Sequence, residues 1–181
     1  MRKILRKRGT GKRQFKRESW QRVGAFLLAV VLFAGVLEMP AVTRAASKVT
    51  CKSLSKAALD KTGGSSKLKY QTTKKDGFSG FTVSDTKKVS SLVYLCDEKE
   101  VYAICVVKAS SKANAASLLS SMKSYQEQNS QSDYLGDYSA SEQKVFKNAV
   151  CGRKGRYVWY IAMSENKSVN QKGHTRIKEL L

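Results

Sequence analysis

Histidine and proline are nearly missing from this sequence, with one of each in 181 residues. Acidic side chains are also scarce: 14 Asp and Glu face 34 Lys and Arg, a formal net charge of +20. A single histidine excludes a His-rich metal centre and His–His acid–base chemistry. The four cysteines, at 51, 96, 105 and 151, contain no Cys-x-x-Cys and have no histidine nearby, so the spacing of a zinc site is absent. What is present is a 41% hydrophobic complement, enough for a packed core and incompatible with wholesale disorder.

So large a charge invites a nucleic-acid reading, but its distribution argues otherwise. Ten basic side chains fall within the first 22 residues, opposed only by Glu18. An uncharged run, Val23–Leu37 (VGAFLLAVVLFAGVL), follows and is closed by Glu38, Met39 and Pro40. Thr43 and Ala45 then supply small residues at −3 and −1 for cleavage after Ala45. A basic n-region, a short apolar h-region and a small-residue exit are the layout of a secretory signal peptide. The alternative is an uncleaved signal anchor over residues 23–37. Fifteen helical residues reach about 22 Å, against a hydrocarbon core of about 30 Å. Either way residues beyond about 46 are expected outside the cytoplasmic membrane, extracellular or at the cell surface. No cysteine directly follows the apolar run, so a lipid anchor is not expected.

Beyond residue 45 the chain keeps 23 basic and 12 acidic side chains, a net +11, and only Arg153, Arg156 and Arg176 are arginine. Arginine is the residue suited to forked phosphate and base-edge contacts, so a Lys-dominated exterior argues against nucleic acid. An even number of cysteines in an oxidising compartment permits two disulfides, and buried free thiols are the equal alternative.

The segment 46–79 is rich in Lys, Ser, Thr and Gly. Ser53–Lys61 (SLSKAALDK) predicts a short helix ended by Gly63-Gly64, and 62–76 predicts a loop. The strongest pattern begins at Ser90. SSLVYLC and VYAICVVKA, rich in Val, Ile, Leu and Tyr, flank the charged turn Asp97-Glu98-Lys99-Glu100 and predict a β-hairpin. With Glu98-Lys99 at its tip, Cys96 would face Val101 and Leu92 would face Cys105. Ser110-Ser111 is a candidate N-cap, and Ala115, Leu118, Leu119, Met122 and Tyr125 recur at helical spacing to about Gln128. Ser139 and Glu142 form a capping-box pattern that opens a helix to Lys147. A second hairpin is expected from Asn148–Gly152 and Arg156–Met163 around Arg153-Lys154-Gly155; its second strand is apolar on both faces and so central. Thr175–Leu181 predicts a terminal helix. The order α-ββ-α-ββ-α specifies an α+β fold, a small antiparallel sheet of two hairpins with helices packed on it, after the N-terminal apolar segment.

Within residues 80–181, Glu100-Val101-Tyr102-Ala103-Ile104, the later Asn148-Ala149-Val150 with Lys154-Gly155-Arg156-Tyr157-Val158, and Phe81-Thr82-Val83 with Asp85 form a pattern of strands and turns that resembles the DUF4358 family. Members are small extracytoplasmic proteins, commonly lipoproteins, of clostridial-type Gram-positive bacteria. The resemblance implies an α+β fold and an extracytoplasmic address. It implies no activity and no functional residues, and the lipoprotein cysteine of the family is missing here.

Sequence features that imitate catalytic motifs carry little weight. Ser53-x-x-Lys56 with Lys61-Thr62-Gly63 mimics the motifs of penicillin-binding enzymes. However, Ser-x-x-Lys recurs at Ser120/Lys123, Ser141/Lys144 and Ser164/Lys167, and Lys61 stands too close to Lys56 for a facing strand. His174 could pair with Cys105 or Cys151 only if a thiolate survived among apolar neighbours. Asp97, Glu98 and Glu100 cluster at a turn without calcium-loop spacing, and Gly63-Gly64-Ser65-Ser66 lacks the Lys of a phosphate loop. Tyr94, Tyr102, Tyr157, Trp159 and Tyr160 read as core and cross-strand pairs rather than as an exposed sugar or peptide platform.

The expectation is therefore an exported, non-catalytic cell-envelope-associated domain, contacting anionic wall polymer or a membrane surface through its Lys excess. The alternatives are an uncleaved single-pass membrane protein with an extracellular protein-binding domain, and a thiol enzyme. No catalytic, cofactor-binding or metal residues are assigned, and no cofactor and no nucleic acid are expected.

Overall fold

The computed structural model describes residues 49–131 and 136–181; the signal or anchor segment expected over 1–45 lies outside the described residues. The described residues lie within one compact unit. Its elements are α1 (Cys51–Thr62), β1 (Tyr70–Thr72), α2 (Val83–Thr86), β2 (Val89–Cys96), β3 (Ala103–Ala109), α3 (Lys112–Gln128), α4 (Ala140–Lys147), β4 (Val150–Lys154), β5 (Tyr157–Ala162) and α5 (Lys167–Leu180). The fold is α+β. The strands form a five-stranded antiparallel sheet in the order β1-β2-β3-β5-β4, with helices packed on it.

Both expected hairpins form, though not at the expected turns, and β3 and β5 occupy the middle of the sheet. Their uninterrupted apolar sequences have a direct cause, since both faces are covered. On one face Ala103, Cys105, Val107, Val158, Tyr160 and Ala162 pack beneath α3, α4 and Phe78. On the other, Ile104, Val106, Trp159 and Ile161 pack beneath α1 and α5. The aromatic core reading holds for Tyr94, Trp159 and Tyr160, which are buried, whereas Tyr102 and Tyr157 are half-buried.

Several expectations need correction. The expected loop 62–76 contains a short 3-10 turn (Ser65–Lys67) and the edge strand β1, whose Tyr70 and Thr72 stand opposite Cys96 and Tyr94. The first hairpin is shifted: Cys96 pairs with Ala103, Leu92 with Val107 and Tyr94 with Cys105. The connection is longer than a two-residue tip because Asp97 holds it open. The Asp97 N–H donates to Tyr102 O at 3.0 Å, the Tyr102 N–H donates to Asp97 Oδ1 at 3.0 Å, and Glu100 adopts a positive φ of 56°. A shift of two residues preserves the faces, so Cys96 and Cys105 still share one. In the second hairpin the turn is Gly155-Arg156, with Lys154 opposite Tyr157.

The terminal helix begins eight residues earlier than expected, at Lys167 rather than Thr175, capped by Asn166. Its buried face is unusual, consisting of Asn170, Gly173 and Ile177. Asn170 is buried but satisfied. It accepts from Met163 N at 2.9 Å and donates to Asn148 O and Ser164 O, each at 2.9 Å, joining α5 to the strand ends. At Gly173 a Cβ would stand 3.1 Å from Thr62 Cγ2 and 3.2 Å from Ile161 Cδ1, so glycine sets how closely α5 approaches α1 and the sheet. Helix α1 runs Cys51–Thr62, with a capping box of Thr50 and Ser53 at one end and Gly63 in the left-handed region at the other.

Candidate functional site

The pairing of α1 with α5 creates the more strongly charged of the two helical layers. Helix α1 presents Lys52, Lys56 and Lys61; α5 presents Lys167, Lys172, Arg176 and Lys178; only Asp60 and Glu179 oppose them. On the opposite layer, α3 and α4 carry Lys112, Lys123, Lys144 and Lys147 against Glu127 and Glu142. The basic excess is thus +5 on one layer and +2 on the other. A groove of about 440 Å³ runs between α1 and α5, bordered by Lys61, Lys172, Arg176 and Glu179. Within it, Arg176 Nη1 meets Glu179 Oε2 at 3.1 Å, an exposed pair that leaves most of the positive charge uncompensated.

The residues that imitate a penicillin-binding site all lie on α1 or at its cap. Ser53 Oγ donates to Thr50 O at 2.9 Å and so completes the helix cap. Thr62 Oγ1 donates to Ala58 O at 3.1 Å. No second element brings Lys61 to face Ser53, so the motif's geometry is not formed.

All four cysteines are free thiols. Cys105 lies between Tyr94 and Tyr160 in a row across the sheet, with Cys151 opposite Tyr160 on the next strand. Burial pushes the Cys105 thiol well up and the Cys151 thiol up to about 12, which keeps both protonated and weakly nucleophilic at neutral pH. Cys51 packs on the other face, its Sγ 3.4 Å from Ser91 Oγ, and burial raises it too.

His174 does not meet a thiol. Its Nδ1 accepts from the indole Nε1–H of buried Trp159 at 3.1 Å. Desolvation, with Lys178 adding repulsion, lowers its pKa below 6.5. A depressed histidine is neutral in the folded chain while the unfolded chain takes up a proton below about pH 6.5. This contribution is therefore full above pH 6.5 and is lost as pH falls through the folded value. Urea midpoints measured from pH 7.5 to 5 should decline, and His174→Asn, whose amide oxygen can accept from Trp159, should flatten that decline. An identical slope in the variant would refute the assignment.

The acidic turn does not converge on one point. Asp97 closes the turn, Glu98 meets Lys69 at 2.9 Å and Glu100 accepts from the Ser79 hydroxyl. Among the described residues no group of three or more His, Cys, Asp or Glu is placed to hold a metal ion.

Two arrangements have no sequence signal. One is a groove of about 540 Å³ between α2 and α3, where buried Asp85 gathers Thr82, Lys88 and Ser121. The other is a cleft of about 430 Å³ between β1, β2 and the acidic turn. Comparison of the chain with protein-family models, with curated proteins and with solved structures gives no match.

Proposed function

We propose that the unit beyond residue 45 is a non-catalytic cell-envelope domain that rests its α1–α5 layer on a phosphate-bearing wall polymer. The supporting observation is the segregation of charge, seven basic side chains against two acidic ones on a single two-helix layer. Lysines held near an anionic surface contribute about 1 kcal/mol each at low screening, and this attraction fades beyond about 8–10 Å at moderate salt. The dispersed ammonium groups of α1 and α5 suit a polyanion of repeating phosphates better than a single ligand. The resemblance of residues 80–181 to the DUF4358 pattern and the export layout of residues 1–45 support the same address.

Both apolar cores and every described strand pairing close within residues 49–181, so a 46–181 fragment carries the whole folded unit. Such a fragment should sediment with isolated phosphate-rich cell walls at low salt and be released at moderate salt. Reversal of Lys52, Lys56, Lys172 and Lys178 to Glu should weaken binding by about tenfold or more. Reversal of Lys112, Lys123, Lys144 and Lys147 on the opposite layer should cost far less. Equal losses from the two sets, or retention that ignores salt, would overturn the proposal. Stronger binding to anionic lipid vesicles than to wall would reassign the surface to membrane.

A further inference from the structure

Charge in this unit is sorted along the strands as well as between the helical layers. Lys108 opposite Tyr157, Val89 opposite Ala109 and Lys154 opposite Tyr157 bring residues 87–88, 109–112 and 154–156 to one end of the sheet. These three connections hold no acidic residue. Lys154 Nζ donates to Lys178 O at 2.8 Å and so adds the last turn of α5. Lys87, Lys112, Arg153, Lys154, Arg156 and Lys178 are all exposed there. The acids closest to them in the chain are engaged: Asp85 is buried against Lys88, and Glu179 meets Arg176. The other end is opposite in sign. Cys96 opposite Ala103 and Ala103 opposite Ala162 gather the connections 97–102 and 163–166. These carry Asp97, Glu98, Glu100 and Glu165, with Lys99 alone against them. The six residues of β5 put roughly 17 Å between the two ends.

Two of the three arginines beyond residue 45 are fixed at the basic end. Arg156 Nε donates to Ala109 O at 2.8 Å, and Arg153 Nη1 donates to Lys112 O at 3.3 Å. Neither guanidinium has another hydrogen-bond partner among the described residues. Planar forks held in place with donors to spare suit phosphodiester oxygens. The path of the chain points to the same end. The Tyr157 hydroxyl donates to Val49 O at 2.7 Å, and Cys51 Sγ donates to the carbonyl of Ser91, which stands opposite Lys108. The chain therefore enters the fold here. Eleven residues, 38–48, link Val49 to the apolar run Val23–Leu37, a reach of at most about 40 Å. With that run kept as an anchor, the basic end is tethered close to a membrane surface. With cleavage after Ala45, the new α-ammonium joins the same end.

We infer that this end of the sheet docks on an anionic phospholipid surface, with the 154–156 turn, Lys87 and Lys112 toward the headgroups and the acid-rich end pointing away. A negatively charged bilayer attracts basic side chains within about a Debye length. It repels the acid-rich connections, so the two ends together set one orientation. The basic end is a different surface from the middle of the α1–α5 layer, and its docking stands whether or not that layer binds wall polymer.

The experiment sediments the 46–181 fragment with vesicles of phosphatidylcholine, alone or mixed with phosphatidylglycerol. At low salt the mixed vesicles alone should retain it. Reversal of Lys87, Arg153, Lys154 and Arg156 to Glu should weaken retention by about tenfold or more. Reversal of Lys56, Lys61, Lys167 and Lys172 changes the net charge equally, on the α1–α5 layer, and should cost far less. That second variant also separates the two proposals, since loss of its wall binding should leave vesicle binding standing. A measurement on the unaltered fragment needs no variant to fold. Mixed vesicles carrying a nitroxide headgroup should broaden the amide signals of Ser110, Lys112 and Gly155 and spare those of Glu98 and Glu165. Equal losses from the two reversals, broadening centred on the α1–α5 layer or on the acid-rich end, or no preference for the mixed vesicles would each overturn the inference.

Discussion

Phe78→Ala is expected to lower the unfolding free energy by about 3–5 kcal/mol, the largest loss from any single truncation in the α3-side core. Phe78 is fully buried although it belongs to the connection between β1 and α2. Its ring meets Phe81, Tyr94 and Tyr125 edge-on, with centroids 5.0, 5.3 and 4.9 Å away, and lies tilted against Tyr160 at 5.8 Å. Such edge-to-face pairs add about 0.5–1.5 kcal/mol each beyond burial. Truncation would remove the fully buried side chain that ties this connection to the sheet and to α3. Equilibrium urea unfolding should show a lower midpoint with an unchanged slope, and amide exchange should accelerate most in residues 73–82. Phe78→Leu should recover about half of the loss, since volume returns without the ring geometry. A cost under about 1 kcal/mol for the alanine variant would mean that the ring cluster is not a packed core.

The elements legible in the sequence are those stabilised by local or periodic patterns. Helix α3 is bounded where Ser111 caps it, and α4 where Ser139 and Glu142 close their capping box. The apolar runs of β3 and β5 show that both faces are covered. Where the pattern was silent, tertiary contacts supplied the stabilisation. β1 is three residues long with two of them exposed, so its strand state comes from pairing with β2 rather than from composition. The first two turns of α5 bury Asn170 and Gly173, residues that a search for an apolar stripe passes over. The register of the first hairpin turns on Glu100 adopting a positive φ without being glycine. No propensity marks such a residue in advance.

The site was less legible than the fold for the same reason. Lys52, Lys56 and Lys61 are visible in the sequence as a basic helix, but their union with Lys172, Arg176 and Lys178 depends on the approach that Gly173 allows. Tyr94 reads only as an inward-facing strand residue. Its place in the lining of the cleft follows from the pairing of β1 with β2, which sets Thr72 opposite it. A surface can thus be anticipated from charge counts, whereas a cleft lined by β1, β2 and a turn requires their register.

Asp85→Ala is expected to cost about 3 kcal/mol, at the low end for breaking a buried ion pair. The Asp85 side chain is 5% exposed and its carboxylate has a full set of partners. Lys88 Nζ lies at 3.0 Å, Thr82 Oγ1 at 2.8 Å, Thr82 N at 3.1 Å and Ser121 Oγ at 3.1 Å. Burial alone would raise its pKa, but these donors outweigh burial and hold it below 3.8. Lys88 also donates to Ser117 Oγ at 2.8 Å, so the network fastens α2 to α3. The Lys88 side chain is 28% exposed and can turn to water once unpaired, which is why the low end applies. Most of the cost then falls on the Thr82 N–H left without an acceptor, since the Thr82 and Ser121 hydroxyls keep Ser84 Oγ and Ser117 O within reach. Asp85→Asn, which keeps the shape and one acceptor, should cost about 1–2 kcal/mol. A depressed carboxylate contributes stability that is full above its unfolded pKa and lost as pH falls through the folded one. Wild type and Asp85→Ala should therefore differ most at pH 7, and the difference should narrow as pH drops below about 3.8. Adding Lys88→Met to Asp85→Ala should change stability by less than it does in the wild-type background. A gap that persists unchanged at low pH would assign the effect to packing of α2 rather than to the charge.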